Sequence, residues 1–177
     1  TRSLEVITQE IKRLDRVVRN FLNFNRPVDV KLKKEDIQPV LQEVVTLAQS
    51  EAHQHNVQIL LQPGDNLPPI QLDPDLMKQC LLNIVLNGCE AMPKGGSLNI
   101  STALHNGSLE LIVQDEGVGI PPESREKVFN LYYTTKENGS GIGLATVFKV
   151  VQLHNGEIEI DSEVGKGTTF TLKFPVA

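Results

Sequence analysis

The sequence predicts an α+β domain preceded by one long helix, and three observations predict it. A heptad-spaced apolar seam runs from Leu4 to Phe21. A segment apolar in almost every helical direction, except for one polar stripe, lies at Leu81–Met92. After it the pattern changes to short β-alternating runs broken by glycine-rich turns.

The first element spans about residues 4–24. Leu4, Ile7, Ile11, Leu14, Val18 and Phe21 follow the 3–4–3–4–3 spacing of a seam that packs on another straight helix, with charged residues on the other faces. An amphipathic helix lying on its own domain is the competing reading. Pro27 stops the helix, because the residue before a proline is pushed out of helical geometry. A short strand is expected at Val30–Lys33, then a helix over Ile37–His55 capped by Asp36, with Pro39 in its first turn. Val57–Leu61 reads as a strand, followed by a Pro/Gly/Asn loop to Pro69. Asp73-Pro74 is a cap and first-turn signal for the central helix, which PKGG at 93–96 closes. Strands over Ser97–Leu104 and Leu109–Asp115 flank a tight turn at His105–Ser108. A helix from near Gly141 to Leu153 and strands at Glu157–Asp161 and Thr168–Phe174 finish the chain.

On the central helix Asn83, Asn87 and Glu90 fall at i, i+4 and i+7 and share one face. Because the rest of the helix is apolar, this stripe should line something enclosed, and its amides need partners. A metal–phosphate group is one such partner. Taken alone, the pair fits equally well as a tie for neighbouring loops.

Two glycine clusters favour the phosphate. Asp115-Glu116-Gly117-Val118-Gly119-Ile120 comes straight off a strand, and its glycines let backbone approach a flat ligand. The Asp115 carboxylate can accept from an exocyclic amine such as that of adenine. By itself the motif fits an ordinary loop. Gly139-Ser140-Gly141-Ile142-Gly143-Leu144 opens a helix, where backbone N–H groups attract phosphate. No Lys-Ser/Thr follows it, so it is not a Walker A loop. Residues 129–138 between the clusters have the size of a mobile lid. Lys136 within it can meet a phosphate or simply be solvated. Near the C-terminus Thr168, in Gly165-Lys166-Gly167-Thr168-Thr169-Phe170, can reach a base or be an ordinary strand threonine.

Composition narrows the classes. At 177 residues there is room for one sizeable core with an appendage, or for two small units. A net charge of −5 argues against a basic nucleic-acid-binding stripe. No apolar run approaches the roughly 20 residues of a membrane span, and there is no signal-peptide pattern. Cys80 and Cys89 are about 13 Å apart along one helix and on opposite sides, so they cannot pair within it. Two unpaired, buried thiols fit a reducing cytosol.

In this order, the motifs resemble the ATP-binding catalytic domain of two-component sensor histidine kinases, of the Bergerat or GHKL superfamily. NIVLNGCEA (83–91) is similar to their N box, DEGVGI (115–120) to the G1 box and FNLYYTTK (129–136) to the F box. GSGIGL (139–144) is similar to the G2 box and GKGTTF (165–170) to the final Gly-Thr motif. RLDRVVRNFLNFNRP (13–27) is similar to the second helix of the dimerisation and phosphotransfer hairpin in the nitrogen-regulation and sporulation branch. The resemblance spans essentially the whole chain. It implies a partial hairpin helix over 1–27 and a catalytic domain over 28–177. That domain would be a two-layer α/β sandwich, a mixed, mostly antiparallel sheet with helices on one face, shared with gyrase, MutL and Hsp90 ATPases.

The resemblance also implies ATP and Mg²⁺. Asn87 would ligate the metal through its amide oxygen, Asn83 would help hold the phosphates, and Asp115 would read adenine. Glu90 would complete a catalytic set with the two asparagines by orienting water on the metal. Nucleotide contacts would extend to Ala91, Gly117, Gly119, Ile120 and Thr168. They would continue through Tyr133, Thr134, Thr135 and Lys136, and through Gly139, Ser140, Gly141, Ile142, Gly143 and Leu144. Of these, Gly141 and Gly143 would give the junction of lid and helix its phosphate contacts. Implied partners are a second copy, through the N-terminal helix, and a response regulator receiver domain. The implied location is cytoplasmic, alone or as the cytosolic portion of a membrane-bound sensor.

Departures from the pattern are specific. Many such kinases carry Lys where Glu90 stands and an aromatic at Ala91, so less stacking on the base is expected. The phosphoacceptor of these kinases is a histidine in a His-Glu/Asp-x-x-Asn-Pro context, and none of His53, His55, His105 or His154 has it. The expectation is therefore a kinase half without its own acceptor. An ATP hydrolase or serine kinase of the superfamily is one alternative, although those place a glutamate general base where Asn83 stands. A non-catalytic dimerising scaffold is the other.

Overall fold

The computed structural model describes residues 2–25, 29–129 and 143–176. The first helix, α1 (Arg2–Asn25), matches the seam. Leu4, Ile7, Ile11, Leu14 and Val18 are between 49% and 64% exposed, so the seam is not buried on the rest of the chain. That outcome removes the reading of a helix lying on its own domain. Pro27 and the Phe21 side chain lie outside the description.

The domain proper has two layers. One layer is a five-stranded sheet in the order β2-β4-β5-β7-β6, formed by β2 (Val57–Gln62), β4 (Gly96–His105), β5 (Ser108–Gln114), β6 (Glu157–Glu163) and β7 (Gly167–Pro175). β2 and β4 run parallel, and every other neighbouring pair is antiparallel. The other layer is α2 (Gln38–Gln54), α3 (Pro74–Glu90) and α4 (Gly143–Leu153), with α3 between the other two. Period-2 alternation places Leu98, Ile100, Leu109, Leu111, Val113, Phe170, Leu172 and Phe174 in the core beneath the helices. The sandwich and its mixed sheet agree with the expected fold.

Local chemistry explains the boundaries. The β4–β5 hairpin turns on Asn106 and Gly107, both at positive φ (50° and 77°), as a two-residue turn that matches strand twist requires. Asp36 does supply a carboxylate to the start of α2, accepting from Gln38 N at 2.9 Å, although Ile37 is the capping residue. The strand expected at Val30–Lys33 is displaced: β1 is Lys33–Glu35. Its physical reason is that the Lys31 amide donates to Asp73 Oδ2 (3.1 Å), tying this stretch to the start of α3 before pairing begins. β1 pairs with β3 (Ile70–Leu72), a strand in a stretch to which the sequence reading assigned no element. Only three residues separate Pro69 from the Asp73 cap, too short a run for alternation to stand out. A single 3₁₀ turn at Pro122–Ser124 was likewise not expected.

Asp73 is the joint of the helical layer. Its Oδ1 accepts from the amides of Asp75 (3.1 Å) and Leu76 (3.3 Å), the capping arrangement read from the sequence. Its own amide donates to Nε2 of His154, which is 2% exposed. Nδ1 of the same ring donates to the Val150 carbonyl at 2.8 Å, so the ring sits as the neutral Nδ1–H tautomer. His154 thereby fastens the end of α4 to the start of α3. Cys80 and Cys89 are both buried and unpaired; burial pushes their thiols up, to about 12 and about 11. Among the described residues no helix is long and apolar enough to cross a membrane.

His154→Phe keeps a ring in the core and strands the Asp73 amide. Urea unfolding should show a loss of roughly 1–3 kcal/mol, the cost of one buried, unsatisfied donor; no change would mean that water replaces the ring nitrogen.

Candidate functional site

The site begins where β5 ends. Asp115 follows the strand directly and is 7% exposed. Its Oδ1 accepts from the Gly117 amide (2.8 Å) and the Thr168 amide (3.1 Å), while its own amide donates to the Thr168 carbonyl (2.9 Å). One carboxylate oxygen is thus fixed by backbone. Among the described residues Oδ2 receives no hydrogen bond, and it lies against α3: a Cβ placed on Gly88 would be 3.6 Å from it. Burial raises the Asp115 carboxyl above its ordinary range, and the Gly117 and Thr168 amides oppose that shift.

Close backbone contact makes this geometry possible. Gly167 has φ +124°, and a side chain there would run into the Asp115 carbonyl. At Gly88 a Cβ would meet the Leu98 side chain, so α3 would be held away from the carboxylate. The G1-like loop is held from three sides. Val118 N donates to the Ala91 carbonyl (3.0 Å), Glu116 N reaches Met92 Sδ (3.4 Å), and Ile120 N donates to Ser162 Oγ (2.7 Å). Gly119 takes φ +78° against the Glu163 backbone. Ala91, singled out in the sequence for a base contact, thus also holds this loop through its carbonyl.

The polar stripe of α3 is the neighbouring wall. Asn83 and Asn87 are partly buried, and Asn87 directly precedes Gly88. Asn83 Nδ2 donates to the Gly143 carbonyl at 3.5 Å, tying the stripe to the first residue of α4. Among the described residues nothing lies within 4 Å of where a Gly143 Cβ would stand. Leu144 packs against the core. Glu90 is exposed, and its charge acts on Cys89. Tyr133, Thr134, Thr135, Lys136, Gly139, Ser140, Gly141 and Ile142 lie outside the described residues.

Thr168 is 5% exposed and bonded to Asp115 through both its amide and its carbonyl. Its hydroxyl stands 2.8 Å from Ser162 Oγ. Sequence reasoning missed Ser162 and Met92. A serine at an inward position opposite a threonine on the next strand was the available signal for the first, since such cross-strand pairs hydrogen-bond.

The carboxylate at the end of β5 thus lies against α3 beside Asn87, and Asn83 on the same helix is bonded to Gly143 of α4. Over residues 72–177 the chain matches the family described as histidine kinase-, DNA gyrase B-, and HSP90-like ATPase. It belongs to that family. Sporulation kinase E of Bacillus subtilis is 34% identical to this ATPase-family chain over 172 residues, 97% of the chain and 23% of that protein. The full-length structure of ShkA in complex with AMPPNP superposes with a TM-score of 0.83 at 27% identity, over 99% of this chain and 39% of that one. ThkA, solved in complex with the response regulator TrrA, shares the fold with a TM-score of 0.79 at 22% identity, over 100% of this chain and 51% of that one. This member of the family therefore spans only part of the length of the relatives it matches.

The raised Asp115 carboxyl has a consequence for stability. The folded state holds this proton more tightly than the unfolded chain, so the contribution is present below the unfolded value and is lost as pH rises through the folded one. Asp115→Asn keeps an oxygen for both amides and removes the buried charge. In nucleotide-free melts the variant should match or exceed the parent at neutral pH, with its advantage shrinking on acidification through the carboxylate range. A variant equally destabilised at every pH would contradict this assignment.

Proposed function

We propose that this chain is the ATP-binding catalytic part of a two-component sensor histidine kinase. It transfers the γ-phosphoryl of ATP to a histidine on a hairpin helix outside this chain, for relay to a response regulator receiver domain. The observation that carries the reading is Asp115: one oxygen is held by two amides, while the other lies against α3 and, among the described residues, receives no hydrogen bond. A buried acceptor so placed suits the exocyclic amine of adenine.

The remaining residues fit a triphosphate. The Gly143 end of α4 would offer backbone N–H groups to phosphate, and Asn83 links that end to α3. Among the described residues no group of three or more His, Cys, Asp or Glu could hold a metal ion. Asn87 would give a Mg²⁺ brought by the nucleotide one neutral oxygen ligand. A bound ion would supply neutralisation of phosphate charge. Asn83 and Asn87 orient, and Asp115 with Thr168 holds the base. Glu90, exposed at the end of α3, directs solvent rather than phosphate. Tyr133, Thr134, Thr135, Lys136, Gly139, Ser140, Gly141 and Ile142 complete the reading as the lid and its junction with α4. The exposed seam of α1 supports pairing with a second copy in the intact protein.

Calorimetry with ATP and Mg²⁺ tests the site. The parent should bind, Asp115→Asn should weaken binding about tenfold or more, the loss of at least one hydrogen bond, and Asn87→Ala should abolish the Mg²⁺ dependence. Binding unaffected by either substitution would overturn the assignment. With γ-labelled ATP, label should appear on a supplied acceptor hairpin and not on His53, His55, His105 or His154; stable label on any of these four would refute phosphotransfer to a histidine outside the chain.

A further inference from the structure

Ser162 lies on β6, 4% exposed, and its hydroxyl meets three polar groups. Ile120 N donates to it at 2.7 Å, the Gly167 carbonyl lies 3.0 Å away, and Thr168 Oγ1 lies 2.8 Å away. A serine hydroxyl has one proton and two lone pairs. The Ile120 amide uses one lone pair. The Gly167 carbonyl can only accept, so satisfying it takes the serine proton. The contact with Thr168 is then satisfied in one direction only, with the threonine hydroxyl donating into the remaining lone pair of Ser162. The opposite arrangement would leave the Gly167 oxygen facing the serine oxygen with no proton between them, one hydrogen bond fewer in a buried network.

We propose that Ser162 is a specificity-determining positioning residue: by consuming the Thr168 proton, it makes the base end of the site a surface of acceptors. Thr168 Oγ1 then offers only lone pairs, on the residue whose amide holds Asp115 Oδ1, and the other oxygen of that carboxylate also accepts. A purine edge presenting an amine, directly or through a water, is matched by this surface. An edge presenting a carbonyl oxygen in that place finds no donor. The same serine anchors Ile120, so the loop that carries Gly117 and the turn that carries Thr168 keep one spacing. The proposal rests on the nucleotide reading above and adds to it the residue that sets hydroxyl polarity.

The test compares ATP with ITP, which carries a carbonyl in place of the exocyclic amine and an N1–H in place of the neighbouring ring acceptor. Affinities are measured by calorimetry on the whole chain and folding is checked by circular dichroism melts. The parent should prefer ATP. Ser162→Ala frees the Thr168 proton to donate to a carbonyl, so the ATP-over-ITP ratio should fall at least threefold, and Ser162→Thr should restore it. A loss of packing alone would weaken both nucleotides equally and leave the ratio unchanged, which would overturn the proposal. Should Ser162→Ala fail to fold, Thr168→Val decides: retention of the parental ratio there shows that the hydroxyl plays no part, whereas a reduced ratio with ITP binding no better supports it. A parent that binds neither nucleotide overturns the nucleotide reading itself and this assignment with it. A parent that prefers ATP, with a Ser162→Ala variant of identical preference, sinks the role of Ser162 alone.

Discussion

Everything near the site follows from keeping one carboxylate inside a largely apolar interior. Desolvation drives Asp115 toward its protonated form, and the Gly117 and Thr168 amides pull it back. Neither amide could reach Oδ1 unless backbone came within hydrogen-bond distance from two directions. Hence glycine stands at 117, beside Ala91, and at 167, beside the Asp115 carbonyl. Glycine at such positions loses more chain entropy on folding than any other residue, a cost of about 0.5–1 kcal/mol relative to alanine in regular structure. The interior beneath α2, α3 and α4 offsets that cost.

The two ends of the proposed site are built differently. The proposed base end is made of strand ends and a tight turn, held by backbone hydrogen bonds between β5, β6 and β7. The proposed phosphate end is made of helix termini. Among the described residues three hydrogen bonds join α4 and its C-terminal end to α3: Asn83 with Gly143 near its start (3.5 Å), Cys80 with Val147 at mid-helix (3.9 Å), and the buried His154 with Asp73 at its far end (3.0 Å). The buried joint therefore lies at the end away from the proposed phosphate contacts.

Much of this was legible in the sequence where the signal was local. Asp73-Pro74 is a cap written in consecutive residues, and the structure shows that cap. The stripe of Asn83 and Asn87 was readable because helical spacing alone places them together. Asp115 stood out because it ends a strand and precedes two glycines. β3 was not legible, because three residues carry no periodicity and its partner β1 is far away in the chain. Ser162 was hidden for a related reason. Nothing in the string Asp161-Ser162-Glu163 marks it, and its importance arises only when antiparallel register sets it opposite Thr168 and the loop brings Ile120 to the same oxygen. Register is a tertiary fact. The seam of α1 was legible as a pattern, yet only the structure separates its two readings, by leaving those side chains exposed.

The chemistry of the α3 stripe also bears on which reaction this site can support. Hydrolysis needs a group that removes a proton from water, and a carboxylate or imidazole beside the phosphates would do so. Asn83 and Asn87 are neutral amides with no basic nitrogen, and the Nδ2 of Asn83 already donates to the Gly143 carbonyl. Glu90 is exposed at the C-terminal end of α3, and one oxygen of Asp115 is committed to two backbone amides. Under the proposed reading the two asparagines would align a phosphoryl group, and neither of them is a base for water. The nucleophile would then bring its own reactivity, as an imidazole on another polypeptide segment does. Positioning by neutral amides suits transfer to such a nucleophile.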